Sequence, residues 1–455
     1  MPGRSRPRPV PSAGCRDARR SRGRRSPGAG SNIAGNVDLK IDSILYAISA
    51  LLVLAIARLT QLYTFRVWAN FAAPGYLIAA IAAAIAVASR RSRTGRGAMR
   101  LRLGIAAFSC AAAVTMPLAY EVHARAGGHI HLEQSEVVVI EQAAAGLAAG
   151  KDPYTATFDE RGLESRPQAQ HHFAYLPLML AFGLPRALFG PGQLTDARVV
   201  MALVTLAALA TALARWPTTP ARRLRMAQVA IVLPSGALFM VTGGDDLPVL
   251  ALVLLGLVML QRKDRLAWPV LVAAALLKQT VWPVLLVLLL SRHVDRTETR
   301  PHTPGMLPGT WLIPAMSVSV PFLLWQPGAF VRGVVLFPLG LTSGPAPDQP
   351  PTLGSWVTGA AGLTGDRTLQ IVLVAGLLGG VLAAGGAVLL RLGRLTSLRT
   401  ADQGCFAGLL MLALIVTSRI SRVGYLIYPL DLLTLGLLMR KTVPSSDPSA
   451  PSRIR

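Results

Sequence analysis

Apolar runs of membrane-spanning length recur along this chain, separated by short polar or basic connections. A bilayer core is crossed by about 17–25 residues of helix. Reading runs near that length as spans predicts twelve, at 43–63, 72–89, 103–120, 196–214, 226–242, 246–261, 266–278, 280–291, 310–326, 368–391, 405–419 and 422–439. The expected fold class is therefore all-α, a polytopic integral membrane bundle of about twelve transmembrane helices. Two places depart from the simple pattern. The run 176–189 is apolar but short and interrupted by Pro177 and Pro185, so it is expected to lie at the interface or dip into one leaflet. The pair 266–278 and 280–291 reads either as two half-length spans meeting near Lys278 or as one long helix kinked at Pro283.

Composition supports a membrane protein. Of 455 residues, 52% are hydrophobic and only 15% charged, against about 25% charged in ordinary soluble domains. The net charge of +24 invites a nucleic-acid reading, but the arginines sit at the ends of apolar runs, so no nucleic-acid partner is expected. Nine arginines and one acid, Asp17, fall within residues 1–30, and residues 1–40 read as a disordered basic cytoplasmic tail that touches anionic lipid headgroups. That tail lacks the apolar core and cleavage site of a signal peptide; a solvated tail or an early start codon is the plainer reading. Placing it inside also places Arg90, Arg91, Arg93, Arg96, Arg100 and Arg102 inside, and the stretch 121–175 outside. The domain organisation that follows is a transmembrane domain over 41–440 and a second cytoplasmic tail at 441–455. Extracytoplasmic loops fall at 121–195 and 327–367, the second Pro/Gly-rich and expected to act as a cover or acceptor-binding loop. No internal repeat and no paired discontinuous segments of the transporter kind are evident.

The stretch 121–175 concentrates the titratable groups: five of the seven histidines (His123, His129, His131, His171, His172) and eight of the 22 acids. Glu136 opens a helical pattern in which Glu136, Val139, Ile140, Ala143 and Ala144 share one face. A carboxylate at the mouth of a bundle suits proton acceptance from a hydroxyl, and a solvated interfacial glutamate is the plain alternative. Asp152-Pro153-Tyr154 is a turn, and Tyr175-Leu176-Pro177 starts an interfacial helix. The histidines, with Glu133, raise a metal question, but adjacent histidines on irregular backbone are more often plain polar surface. The three cysteines, Cys15, Cys110 and Cys405, build neither a disulfide framework nor a zinc site.

Elsewhere, Asp245 and Asp246 in Gly243-Gly244-Asp245-Asp246-Leu247-Pro248 read either as functional acids or as caps of the next helix. Lys278, alone among apolar neighbours, suits a phosphate group, with snorkelling as the alternative. Arg419 and Arg422 fall on the outer side against the positive-inside bias, and are candidate anion ligands or mark a misdrawn turn.

The order of these features (an acid in the first large outer loop, Gly150-Lys151-Asp152-Pro153-Tyr154, aromatic-Tyr175-x-Pro177-Leu178, Gly243-Gly-Asp-Asp246, and Lys278 before Trp282-Pro283) resembles the polyprenyl-phosphate-sugar-dependent glycosyltransferases of the GT-C superfamily. Glycosyltransferase family 87, the bacterial α-mannosyltransferase type, is nearest in pattern, over about 103–300. The resemblance implies a lipid-linked donor presented outside the bacterial cell membrane, inverting transfer without metal or cofactor, and a glycolipid or glycan acceptor. The want of a Gly-rich phosphate loop or soluble domain fits the absence of a nucleotide-sugar site. It further implies an external carboxylate as base. Glu136 matches by its distance to the Gly-x-x-Pro-Tyr step, with Glu for the family's usual Asp, so Glu133, Glu141 and Asp152 stay as rivals. Gly244-Asp245 stands where the family commonly has Gly-Gln or Gly-Asn. Lys278, Arg419 and Arg422 would hold the donor phosphate, while Tyr154, His172, Tyr175, Asp245 and Asp246 would line the substrate. A multi-pass transporter or lipid flippase is the rival reading, and a non-catalytic envelope scaffold a third.

Overall fold

The computed structural model describes residues 28–89, 95–129, 132–158, 172–295, 312–339, 352–360, 367–395, 398–418 and 422–440. Among these residues the regular structure is helical, with no strand. That follows from the sequence: long Ala/Leu/Val runs favour helix, and in lipid only a helix satisfies its own backbone groups. Helix α1 (Gly28–Leu59) runs antiparallel to α2 (Tyr63–Ala88). It already begins at Gly28, so the boundary expected near residue 40 falls inside it. The third span is continuous from α3 (Gly95–Cys110) through one π-helical turn (Ala111–Thr115) into α4 (Met116–Ala126). Glu121 therefore lies on α4, not in the loop where the sequence reading put it.

Two short helices follow across the loop, α5 (Ser135–Ala148) and α6 (Leu184–Phe189), the latter preceded by a 3-10 turn at Pro177–Phe182. This segment packs on α5, α7 and α11. Helix α7 (Ala197–Arg215) turns into α8 (Pro220–Ala227), whose continuation bends by 46° into α9 (Pro234–Thr242). Next come α10 (Asp246–Gln261), α11 (Ala267–Leu277) and α12 (Trp282–Asp295), with α10 packed between α7 and α11. Helix α13 (Leu312–Trp325) folds back by 117° at Gln326 into α14 (Pro327–Val331), so the second loop opens as a helical hairpin and not as plain coil. The bundle closes with α15 (Leu353–Ala360), α16 (Arg367–Leu395), α17 (Thr400–Thr417) and α18 (Ile427–Arg440).

Seven of the described helices are long and apolar enough to cross a membrane, nine if each bent pair counts as one span. The remaining three expected spans correspond to shorter apolar helices, α10, α11 and 279–291. Large apolar side chains such as Ile44, Leu51, Ile81 and Leu203 stand exposed on the outer surface of these helices, a pattern suited to lipid and not to water. The chain is a multi-pass membrane protein.

Charge sorts to the two ends of the bundle. At one end Arg102 sits between Asp38 (2.7 Å) and Asp42 (2.5 Å), Arg225 reaches Asp42 (2.7 Å), Arg215 meets Asp264 (2.5 Å), and Arg440 meets Asp402 (2.8 Å). These pairs tie α1 to α3 and α8, α7 to the α10–α11 turn, and α17 to α18. The opposite end holds the groups that the sequence singled out.

Candidate functional site

The site is assembled from helix ends. Helix α5 starts at Ser135 because Gln134 is extended and is bonded through both backbone and side chain to the last residue of α9: its N–H donates to the Thr242 carbonyl (2.9 Å) and its Nε2 to Thr242 Oγ1 (2.5 Å). Gly243, at φ +94°, then turns the chain toward α10. A β-carbon there would collide with Val137 on α5 and with Arg198, so glycine is what lets this turn rest on the start of α5. The shared face read from the sequence is real: Val139, Ile140, Ala143 and Ala144 are fully buried, and Glu136 is buried with them.

Glu136 lies in the first turn of α5, where the helix dipole favours a negative charge. Its carboxylate forms an ion pair with Arg422 and accepts from Ser135 Oγ (3.2 Å). Arg422 precedes a 3-10 turn (Val423–Leu426) that leads into α18. Arg419 lies outside the described residues.

Lys278 stands where α11 ends and α12 has not begun, in extended backbone (φ −152°, ψ 139°). The break therefore falls at Lys278; Pro283 is simply the second residue of α12, where proline is tolerated, so the single kinked helix is ruled out. Of the two readings offered by the sequence, the structure has the two half-length helices that meet near Lys278. Lys278 Nζ reaches Asp245 (3.0 and 3.1 Å) and Asp246 (2.7 Å), and lies over the rings of Tyr175 (5.4 Å) and Tyr425 (5.2 Å). The Asp245 side chain does not cap α10: it makes no cap hydrogen bond and serves the lysine instead. Tyr428 donates to Asp246 (2.7 Å) and accepts from Thr280 (2.8 Å). The loop carrying Tyr175 is stitched to the same break, Leu176 N–H donating to the Leu277 carbonyl (3.2 Å) and Gln279 Nε2 to the Ala174 carbonyl (3.1 Å).

Electrostatics sharpen this arrangement. Burial pushes Asp245 up to about 6; the Lys278 ammonium opposes that shift and the neighbouring Asp246 adds to it. Burial, then Asp245, raises the Tyr175 phenol well above its ordinary value, so Tyr175 remains a donor. One ammonium thus faces two carboxylates.

A second polar network lies beside the first and fixes the loop. Arg125 meets Glu133 (3.2 Å), Glu141 (2.8 Å) and Asp196 (2.9 Å), and Arg186 also meets Glu141 (3.2 Å). Arg198, fully buried, binds Asp196 (2.9 Å), Glu121 (3.3 Å) and the Leu132 carbonyl (2.6 Å). Asp196 also caps α7 through the Arg198 N–H (2.9 Å). Against the upward push of burial, Arg198 and then Arg125 hold the Asp196 carboxyl well below the usual carboxylate range. Glu133 and Glu141 are therefore engaged by arginines. Asp152 accepts from the Tyr154 N–H (2.9 Å), closing the turn expected there. The Tyr154 hydroxyl donates to the Tyr175 carbonyl (2.9 Å), while its ring packs against Phe173, Phe322 and Phe330. Exposed His172 sets its ring edge-on to Phe337. His131 and His171 lie outside the described residues, and His129 bonds the Ala124 carbonyl (3.1 Å).

The structure thus pairs Glu136 with Arg422 and gathers Asp245, Asp246 and Tyr175 around Lys278, with Tyr425 beside both groups and Tyr154 one step behind; His172 stands apart beside Phe337. Sequence reasoning missed Tyr425, Tyr428, Thr280, Arg125 and Arg198. The two tyrosines carried a signal in their spacing of three at the start of a span, which puts them on one helix face. Arg198 carried one as an arginine in the first turn of an apolar helix.

No protein-family profile and no curated protein matches this chain. Among solved structures it is similar to ArnT from Cupriavidus metallidurans in the apo state, with 16% identity and a TM-score of 0.41, over 68% of this chain and 55% of that one. It is likewise similar to the same protein bound to undecaprenyl phosphate, with 17% identity and a TM-score of 0.40, over 68% of this chain and 56% of that one. The chain spans little more than half the length of the structures it matches.

Proposed function

We propose that this chain is a GT-C-type membrane glycosyltransferase that moves a sugar, mannose by its resemblance to family 87, from a polyprenyl-phosphate-linked donor to an envelope glycolipid or polysaccharide. The observation that carries this reading is the presence, at the less arginine-rich end of the bundle, of two ion-paired groups built from four helix ends, Glu136 with Arg422 and Lys278 with Asp245 and Asp246, with Tyr425 next to both. The positive-inside bias makes that end extracytoplasmic. A prenyl-anchored donor reaches such a site from within the bilayer, and its phosphate finds guanidinium and ammonium groups there.

The chemistry is a single displacement. The acceptor hydroxyl attacks the anomeric carbon, Glu136 takes its proton, and the bond from that carbon to the phosphate oxygen breaks. Arg422 and Lys278 stabilise the charge growing on the polyprenyl phosphate as it leaves. Asp245, Asp246 and Tyr175 line the sugar. Arg125 and Arg186 hold the rival acids Glu133 and Glu141 in the network that shapes the loop, and Asp152 closes the Tyr154 turn, which favours Glu136, the acid paired with the candidate phosphate ligand Arg422, as the base. The test is Glu136→Gln in membranes supplied with labelled polyprenyl-phosphate mannose. Transfer is expected to fall by about 10²–10⁴-fold, and intact transfer would remove Glu136 from the mechanism.

One observation favours a second reading, a transporter or flippase. The helix broken at Lys278 and the hairpin of α13 and α14 are the kind of discontinuity that transporters place at their substrate sites. Vesicle uptake of a sugar or lipid without new glycoside formation would favour it.

A further inference from the structure

Among the described residues, the two candidate phosphate-binding cations already hold carboxylates: Lys278 holds Asp245 and Asp246, and Arg422 holds Glu136. The two differ in access. The Lys278 side chain is 5% exposed and enclosed by Tyr175 and Tyr425, whereas that of Arg422 is 19% exposed. An arriving anion therefore meets Arg422 first. The carboxylate already on Arg422 is the one assigned above as the base, and an acid in an ion pair with guanidinium is a poor proton acceptor. Glu136 is also the acid best able to give up its cation. It keeps the α5 dipole and the Ser135 hydroxyl (3.2 Å), so its charge stays compensated once the arginine leaves. A phosphate is bound by guanidinium through the same paired N–H donors as a carboxylate, so one ligand can replace the other without repacking the site.

We propose that the Glu136–Arg422 pair is an exchange latch, in which the donor's phosphate displaces Glu136 from Arg422 and so unmasks the base. This rests on the reading of Glu136 as the base and adds an order to it: donor first, acceptor activation second. Arg422 is then a positioning residue for the base in the empty enzyme and a phosphate ligand in the loaded one. Tyr425, whose N–H donates to the Arg422 carbonyl (2.9 Å) and whose ring lies under Lys278, sits next to both cations.

The experiment is equilibrium binding of polyprenyl phosphate, without sugar, to the full chain in nanodiscs, with folding followed by thermal unfolding. Glu136→Gln removes the competitor and is expected to tighten binding by up to about fivefold, the worth of about one accessible ion pair. Glu136→Gln combined with Arg422→Gln is expected to lose that gain, and Arg422→Lys, which keeps a cation but not the paired donors, to weaken binding of the wild-type chain. Unchanged or weaker binding by folded Glu136→Gln overturns the latch, and if that variant has also lost transfer the base reading stands without it. Tighter binding together with full transfer overturns the base reading, and the latch with it. If no form of the chain binds polyprenyl phosphate, the lipid-linked donor itself is wrong.

Discussion

The Lys278 ammonium lies 2.7 Å from Asp246, each at the end of a different apolar helix, and Tyr428 from a third helix donates to the same carboxylate at the same distance. The break in the chain at Lys278 exists to be used in this way. Extended backbone among apolar helices is tolerated where protein buries it, and here Asp246 of α10, Tyr428 of α18 and the Tyr175 loop surround the break.

Removing the lysine should therefore be costly to the fold as well as to activity. Lys278→Met leaves Asp245 and Asp246 buried without a cation, and breaking a buried pair on one side costs about 3–5 kcal/mol. Adding Asp245→Asn to Lys278→Met should recover part of that loss, because the stranded charge is removed. Thermal unfolding of the two variants in the same detergent checks both statements.

Asp245 gives the protein a signature in pH. Its native value of about 6 lies above the roughly 3.9 of an unfolded aspartate, so between those values the folded chain holds the extra proton. Its contribution to stability is present in full below about pH 4 and is lost as the pH rises through about 6. The difference in melting temperature between wild type and Asp245→Asn should thus change across pH 4–6 and stay level above pH 7. A difference that is flat across the whole range would show that Asp245 titrates normally.

The Arg125 network separates architecture from chemistry. Arg125→Gln removes the cation that meets Glu133, Glu141 and Asp196 and should destabilise the chain by about 3–5 kcal/mol. Glu133→Gln leaves the other two acids on Arg125 and should keep kcat/KM within about threefold of wild type, per folded molecule. A loss of about a hundredfold or more in Glu133→Gln would transfer the role of base to that residue.

Tyr428→Phe deletes the hydroxyl that donates to Asp246 and accepts from Thr280. Leaving a buried acceptor short of a donor costs about 1–3 kcal/mol, and unfolding should register that loss while the protein still reaches the membrane.

Much of the scaffold was legible in the sequence, because span length and the 3.6-residue period are local properties. The apolar run at 246–261, the buried face of Glu136, Val139, Ile140, Ala143 and Ala144, and the short, interrupted helical character of 176–189 can all be read without a structure. The break at Lys278 was visible only as a choice between two readings, since a lysine and a nearby proline each interrupt an apolar run. What the sequence withheld is pairing. Nothing local says that Arg422 meets Glu136, that Asp245 serves Lys278 and not its own helix, or that Arg198 threads between Asp196 and Glu121. Those contacts are set by which helix ends converge, and only the folded bundle brings them together.

Sugar transfer from a lipid-linked donor is measured in purified chain reconstituted into liposomes with polyprenyl-phosphate mannose labelled in the sugar and an envelope lipid extract. The label is expected to appear in a new glycoside, with one polyprenyl phosphate released for each sugar transferred. Label that crosses the bilayer still attached to its polyprenyl phosphate, with no new glycoside formed, would contradict it.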